Sequence, residues 1–212
     1  MDKYDLKKDL KNLYSTSAKD FQLVEVPELG FLMVDGEGDP NTSADYLSAV
    51  EALFSIAYTL KFSSKAAGRD FVVTPLEGLW RAADPSAFTS RDKDSWLWTM
   101  MIAQPEWVTE EAVRQAVQQA AAKKGLSPQA SAALERLRYR RYTEGLSVQI
   151  LHLGSYDDEA PTLSRLHHEY LPTQGLDFNG DHHEIYLSDA RRTAPEKLKT
   201  ILRQPVKTVS KT

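Results

Sequence analysis

Cysteine is absent from all 212 residues. That excludes disulfides, thiolate metal ligands and a cysteine nucleophile, and it suits a reducing compartment such as the cytoplasm. Long apolar runs are missing as well, and no stretch approaches the ~20 apolar residues that a membrane-spanning helix needs. Positive charge is not in excess. Lys and Arg total 26 against 30 Asp and Glu, a net charge of −4, whereas a nucleic-acid reader carries a basic footprint. The opening Met1-Asp2-Lys3-Tyr4-Asp5 is charged and lacks a signal-peptide pattern. A cytoplasmic protein with no membrane or nucleic-acid partner is expected.

Absent motifs narrow the chemistry further. No G-x-S-x-G elbow is present, so serine–histidine catalysis has no support. Gly36-Glu37-Gly38 lacks the third glycine of a dinucleotide site and reads as a turn. The histidine pairs His167-His168 and His182-His183 are adjacent in sequence. Neighbours on a strand face opposite ways, and helical ligands sit three or four residues apart, so neither pair forms a chelate. No metal and no cofactor are expected.

Hydrophobic content of 42% with 26% charged residues is that of a folded globular chain rather than a disordered one. Leu6, Leu10, Leu13 and Tyr14 recur at helical spacing, predicting an N-terminal helical extension over residues 1–20. Phe21 to Val26 and Phe31 to Val34 read as two strands around Pro27-Glu28-Leu29-Gly30. Thr42 or Ser43 can cap a helix whose stripe is Tyr46, Val50, Leu53, Phe54, Ala57 and Tyr58. A strand from Phe71 to Trp80, a loop from Arg81 to Ser95 and a strand from Trp96 to Ala103 follow. Thr109 caps a further helix that ends at Lys123-Lys124-Gly125.

The second half repeats this outline. Arg138 to Glu144 and Leu146 to Leu153 are strands separated by Gly145, and Gly154-Ser155-Tyr156-Asp157 matches Gly36-Glu37-Gly38-Asp39. A helix bearing Leu163, Leu166, His167 and Tyr170 precedes a strand from His182 to Ser188. Thr193-Ala194-Pro195-Glu196 has the form of a capping box, predicting a C-terminal helix with Leu198, Ile201 and Leu202 buried. The expected fold is therefore α+β: internally duplicated β-α-β-β units, a mostly antiparallel sheet, helices on one side and a ligand cleft between the halves. The predicted domain spans residues 21–206, with pseudo-repeats over about 21–104 and 137–190 plus the C-terminal helix, and residues 207–212 form a polar tail.

Two strands carry candidate chemistry. In Trp96 to Ile102, alternation puts Trp96, Trp98, Met100 and Ile102 on one face and Leu97, Thr99 and Met101 on the other. A strand apolar on both faces is covered on both sides, by core packing or by a pocket. In His182 to Ser188, His182, Glu184, Tyr186 and Ser188 share one face, either a solvent row or a partly desolvated polar site able to hold a cation or act as a base on water. Arg136, Arg138, Arg140 and Arg141 interleave with Tyr139 and Tyr142. That pattern suits stacking on nucleic-acid bases, and equally an edge strand whose charges discourage pairing.

Pro75-Leu76-Glu77-Gly78-Leu79-Trp80, Lys93-Asp94-Ser95-Trp96-Leu97-Trp98-Thr99, Glu144 to His152, and His182-His183-Glu184-Ile185-Tyr186-Leu187-Ser188-Asp189 stand in one order and spacing. In these segments the chain resembles the stand-alone branch of the GyrI-like small-molecule-binding family, with its SOUL/effector-binding-like fold. The resemblance implies a pocket for bulky hydrophobic, often cationic, aromatic compounds of multidrug or xenobiotic type. Trp80, Trp96, Trp98, Met100, Tyr156, His182 and Tyr186 would line it, and Glu184 would supply counter-charge. It also implies an alternative, a hydrolase opening the cyclopropane ring of DNA-alkylating natural products, with Glu184 activating water and Tyr186 or a tryptophan orienting the substrate. A second alternative is a protein-interaction role, since relatives of the family name inhibit gyrase, and a monomer or weak dimer is expected. Arg81 stands where the branch has a second aromatic after Trp80, a charge that disfavours cationic ligands if it points inward.

Overall fold

Two strands of sixteen residues each, β1 (Gln22–Glu37) and β4 (Arg138–Leu153), run without a break where the sequence predicts paired short strands. The computed structural model describes residues 3–83, 92–122 and 125–209. Most of the predicted 81–95 loop, the Lys123-Lys124 helix end and the last three residues of the tail lie outside the described residues. The helices are α1 (Leu6–Asp9), α2 (Lys11–Tyr14), α3 (Ala44–Ala66), α4 (Glu110–Ala121), α5 (Pro128–Leu134), α6 (Ala160–Arg165) and α7 (Leu171–Thr173). The remaining strands are β2 (Glu77–Ala82), β3 (Trp96–Gln104), β5 (Leu176–Phe178), β6 (His182–Tyr186) and β7 (Lys199–Thr208). The chain divides into two units, Met1–Asp9 with Leu29–Tyr142 and Leu10–Glu28 with Thr143–Thr212.

In the first unit, β3 pairs antiparallel with β1 from Gly30↔Gln104 to Glu37↔Leu97 and with β2 from Glu77↔Met101 to Ala82↔Trp96. Pro27 does not break β1 because it is exposed and precedes this register, so its missing N–H costs no bond in that ladder. Gly30 is no turn residue either. A Cβ there would stand 2.2 Å from the Tyr139 hydroxyl, which donates to the Val108 carbonyl at 3.0 Å; the glycine is what lets the tyrosine cross the strand. The predicted strand from Phe71 shortens to β2, and ahead of it Phe71 makes only an isolated parallel bridge to Tyr4.

Ser43 caps α3, accepting from the Tyr46 N–H. The buried stripe of α3 differs from the predicted one. Ala49, Ala52, Leu53, Ile56, Ala57 and Leu60 face inward, while Tyr58 is 47% exposed. Small alanines let the helix approach the sheet closely, and the bulky aromatics are left outside. α4 is capped by Thr109 and α5 by Ser127, with Pro128 in its first turn.

In the second unit, β7 pairs antiparallel with β4 (Ser147↔Pro205 to Leu153↔Lys199), β6 (His183↔Arg203 to Tyr186↔Thr200) and the short β5. The predicted C-terminal helix is therefore a strand. Only a 3-10 turn, Pro195–Lys197, forms at the apparent capping box, and no side chain caps it. Residues 200–206 are all buried, as expected of a strand flanked by strands. Pro205 falls in the gap between the β6 register, which ends at Arg203, and the β5 register, which begins at Val206. α6, a π-helical turn (Leu166–Tyr170) and α7 carry Leu166 and Leu171 into a core with Val148, Leu176 and Val206.

The duplication is visible in the topology. β1-α3-β2-β3 has the spatial order β1-β3-β2, and β4-α6-β6-β7 has the order β4-β7-β6. The glycine that directly follows each long strand, Gly38 (φ 94°) or Gly154 (φ 136°), is left-handed. The structural match to Gly154 is thus Gly38, two residues beyond the sequence match at Gly36. With that alignment Trp80, paired to Trp98, corresponds to Tyr186, paired to Thr200. The second repeat runs on through β7, past the predicted end at 190.

Candidate functional site

Each unit gathers part of the predicted residue set. In the first, the Trp80↔Trp98 pair and the neighbouring Ala82↔Trp96 pair hold three indoles on one face of β2 and β3, and Tyr46 of α3 joins them. Tyr46 is stacked 6.4 Å from Trp80 and meets Trp98 edge-on at 5.4 Å, while Trp80 and Trp96 meet edge-on at 5.6 Å. Trp98 and Met100 are closed to solvent. Tyr46 and Trp96 are partly open and form the rim of the cluster. The Trp98 indole N–H has no hydrogen-bond partner among the described residues. Sequence reasoning placed Tyr46 in the helix core stripe and so missed it. Its position three residues after the Ser43 cap, facing a Trp-rich strand, was the available signal.

Gly36 makes this arrangement possible. A Cβ at Gly36 would lie 2.1 Å from the Trp98 ring. Gly36→Ala is expected to destabilise the chain by about 1–3 kcal/mol through overpacking. Urea unfolding should show the loss, and Trp98→Phe in the same chain should recover part of it.

Arg81 points to the other face. Its Nη1 donates to Thr99 Oγ1 at 3.0 Å, Thr99 donates to Asp35 at 2.6 Å, and Arg138 grips Asp35 through both guanidinium nitrogens at 2.7 and 2.8 Å. Burial pulls the Asp35 carboxyl upward, but the Arg138 and Thr99 hydrogen bonds outweigh it and hold the group below the usual carboxylate range. Arg81 therefore adds no charge to the indole face. Two arginines of the basic cluster are similarly engaged, Arg136 with Asp45 and Arg138 with Asp35, and Tyr139 and Tyr142 pack within the unit, while Arg140 and Arg141 are exposed.

In the second unit β6 presents Glu184, Tyr186 and His182 on one face, and the row is not solvent-facing. The His182 and Glu184 side chains are 13% and 14% exposed. Tyr186 donates its hydroxyl to Glu184 Oε2 at 2.8 Å, and His182 Nε2 lies 3.5 Å from Oε1. Tyr156 packs edge-on against Tyr186 at 5.6 Å. Burial, then the charges of Glu184, Glu159 and Asp189, push the Tyr156 hydroxyl up to about 12, so it stays a neutral donor across the physiological range. Burial, then His182 and His168, push the His167 imidazole down to about 4, keeping it neutral. One oxygen of Glu184 is thus held by a phenol while the other faces the His182 imidazole.

The opposite face of β6 holds a charged cluster that sequence reasoning missed. His183 Nδ1 lies 3.0 Å from both Glu144 oxygens, and Arg203 Nη1 donates to Glu144 at 3.2 Å. Arg203 also reaches Gln149 and the Leu13 carbonyl, and Gln149 donates to the Asn12 carbonyl. These groups anchor α2. Burial alone would raise the Glu144 carboxyl, but His183 and Arg203 more than offset that and hold it below its ordinary range.

The first unit also carries a cavity of about 520 Å³ beside Trp107 and Arg69, and a groove of about 710 Å³ beside Phe54, Tyr58 and Phe62. Neither touches Trp80, Trp96, Trp98 or Met100. Tyr58 therefore belongs to the outward side of α3, whereas Tyr156 belongs with Tyr186. Among the described residues no three His, Asp or Glu side chains come together as a metal site, and no helix is long and apolar enough to cross a membrane.

No curated protein matches the chain. Among solved structures, an uncharacterized conserved protein from Listeria innocua is 42% identical with a TM-score of 0.87, over 97% of this chain and 100% of that one. A hydrolase encoded by lin2189 from the same organism is 40% identical, with a TM-score of 0.85 over the same shares. The C-terminal domain of EcmrR shares the fold at 14% identity, with a TM-score of 0.56 over 90% of this chain and 98% of that one. The model of the GyrI-like small molecule binding domain matches residues 19–207, nearly all of the two repeats and the strand that closes the second, and the chain belongs to that family.

Proposed function

We propose that this small-molecule-binding domain takes bulky, hydrophobic, cationic aromatic compounds, with Glu184 as counter-charge and Tyr186 and Tyr156 as the aromatic surface beside it. The observation that carries the reading is the Glu184 carboxylate. It is mostly withdrawn from water, a phenol donates to one of its oxygens, and an imidazole nitrogen lies 3.5 Å from the other. A buried anion of this kind gains from a cation, and the gain over aromatic faces grows as water is excluded.

Hydrolysis is the second reading, favoured by the relative at 40% identity described as a hydrolase. Tyr186 fixes one carboxylate oxygen, and the other can take a proton from a water whose oxygen bonds to a cyclopropane carbon of a DNA-alkylating compound; the ring C–C bond breaks, its electron pair passes to the conjugated carbonyl, and that oxygen takes the proton back. Tryptophan fluorescence titrated with rhodamine-type cations and neutral aromatic dyes tests the binding reading. Saturable quenching, tighter for the cations, is expected; no quenching by any dye overturns it.

A further inference from the structure

The geometry points to a two-fold contact between two copies of this chain, made by the outward face of α3. Leu47, Glu51, Phe54, Tyr58, Phe62 and Lys65 recur at spacings of three and four, the seam of a helix that packs on another helix. Phe54, Tyr58 and Phe62 form a ladder of rings with successive centroids 6.4 Å apart. Phe54 is half-buried, while among the described residues Tyr58 is 47%, Phe62 60% and Leu47 65% exposed. Beside them runs the groove of about 710 Å³, lined also by Gln119 and Ala120 of α4 and by Leu126, with volume enough for an aromatic side chain from a facing helix.

The seam says which occupant fits. Set antiparallel against its own copy with Tyr58 on the two-fold axis, α3 places Phe54 opposite Phe62 and Glu51 opposite Lys65, because each pair straddles Tyr58 symmetrically in sequence. A closed two-fold interface needs this reciprocity, in which one residue meets a second and the second meets the first. Aromatic rings then fill the centre and opposite charges sit at both rims, the usual anatomy of a specific interface. The Ser127 N–H and hydroxyl both donate to the Glu51 carboxylate, which fixes the acidic end beside the groove. The contact is independent of the ligand reading, since it uses none of those side chains.

The absence of native cysteine makes the test direct. Tyr58→Cys puts a single thiol opposite its own copy, and mild oxidation should convert the chain to a disulfide-linked pair. Leu47→Cys, exposed on the same seam but facing a different residue across the axis, should not cross-link. In sedimentation, Tyr58→Arg places like charges on the axis and should lose the two-chain species while circular dichroism stays native. Glu51→Lys should also lose it, and Glu51→Lys with Lys65→Glu should restore it, a rescue that damage to the α5 cap would not give. The proposal is overturned if the wild type sediments as a single chain at every concentration, which leaves the face to a different protein. Equal cross-linking of the two cysteine variants overturns it as well.

Discussion

Replacing Arg203 with methionine is expected to cost about 3–5 kcal/mol of stability, because it removes the guanidinium from a buried ion pair and leaves the Glu144 carboxylate only partly compensated, by His183. Arg203 and Glu144 are 3% and 2% exposed, so water does not replace the lost guanidinium. The same substitution releases Gln149 and the Leu13 carbonyl, loosening α2. Urea unfolding at neutral pH measures the loss, and Glu144→Gln in the Arg203→Met chain should recover much of it by removing the stranded charge. A loss below about 1 kcal/mol, the scale of an exposed pair, would mean the cluster is solvated. The pH dependence has a definite sign. The folded Glu144 carboxyl sits below its ordinary value of 4.5, so its contribution is present above that value and lost as pH falls below it through the folded pKa. Wild type should therefore lose stability on acidification below about pH 4.5 more steeply than the Glu144→Gln chain.

Glu184→Gln is expected to separate charge from shape. Glutamine keeps a carbonyl oxygen for the Tyr186 hydroxyl, so the local structure should hold. Cationic dyes should lose about tenfold in affinity, roughly 1.4 kcal/mol, while neutral aromatic dyes should bind as before. If the protein turns ligand over, the same change removes the general base and should lower the rate by about 10²–10⁴-fold. Equal loss for cationic and neutral dyes would show that the carboxylate supplies packing rather than counter-charge. Unchanged quenching of the indoles by cations would separate Glu184 from the ligand that the tryptophans sense.

Much of this was legible in one chain. Alternation in Trp96 to Ile102 and His182 to Ser188 assigned the faces of β3 and β6 correctly, since period-two patterns are local. The β-α-β-β duplication was legible because strand, glycine and helix recur in order. The C-terminal helix was misread because Leu198, Ile201 and Leu202 satisfy helical spacing and also lie in a strand buried on both faces, and only strand pairing decides. Pro27 and Gly145 looked like punctuation, yet one precedes the register with β3 and the other takes a left-handed φ of 74° within a continuous strand. The face of α3 was misjudged because side-chain bulk was taken for burial, when alanines do the close packing. Glu144, His183 and Arg203 carry no local pattern that links them; tertiary contact alone unites them.

The division of the chain has a consequence for its birth on the ribosome. The first unit is complete once residue 142 has been made, and α3, β2 and β3 can settle on the end of β1 as they emerge. Residues 10–28 are made before the first unit is complete, yet they belong to a unit whose central strand, β7, is made after it. Leu13 and Tyr14, buried in the finished protein, stay uncovered while the first unit is synthesised. The nascent chain therefore carries an apolar segment that is covered only after β7 has emerged, and that segment is where a chaperone would have most to hold.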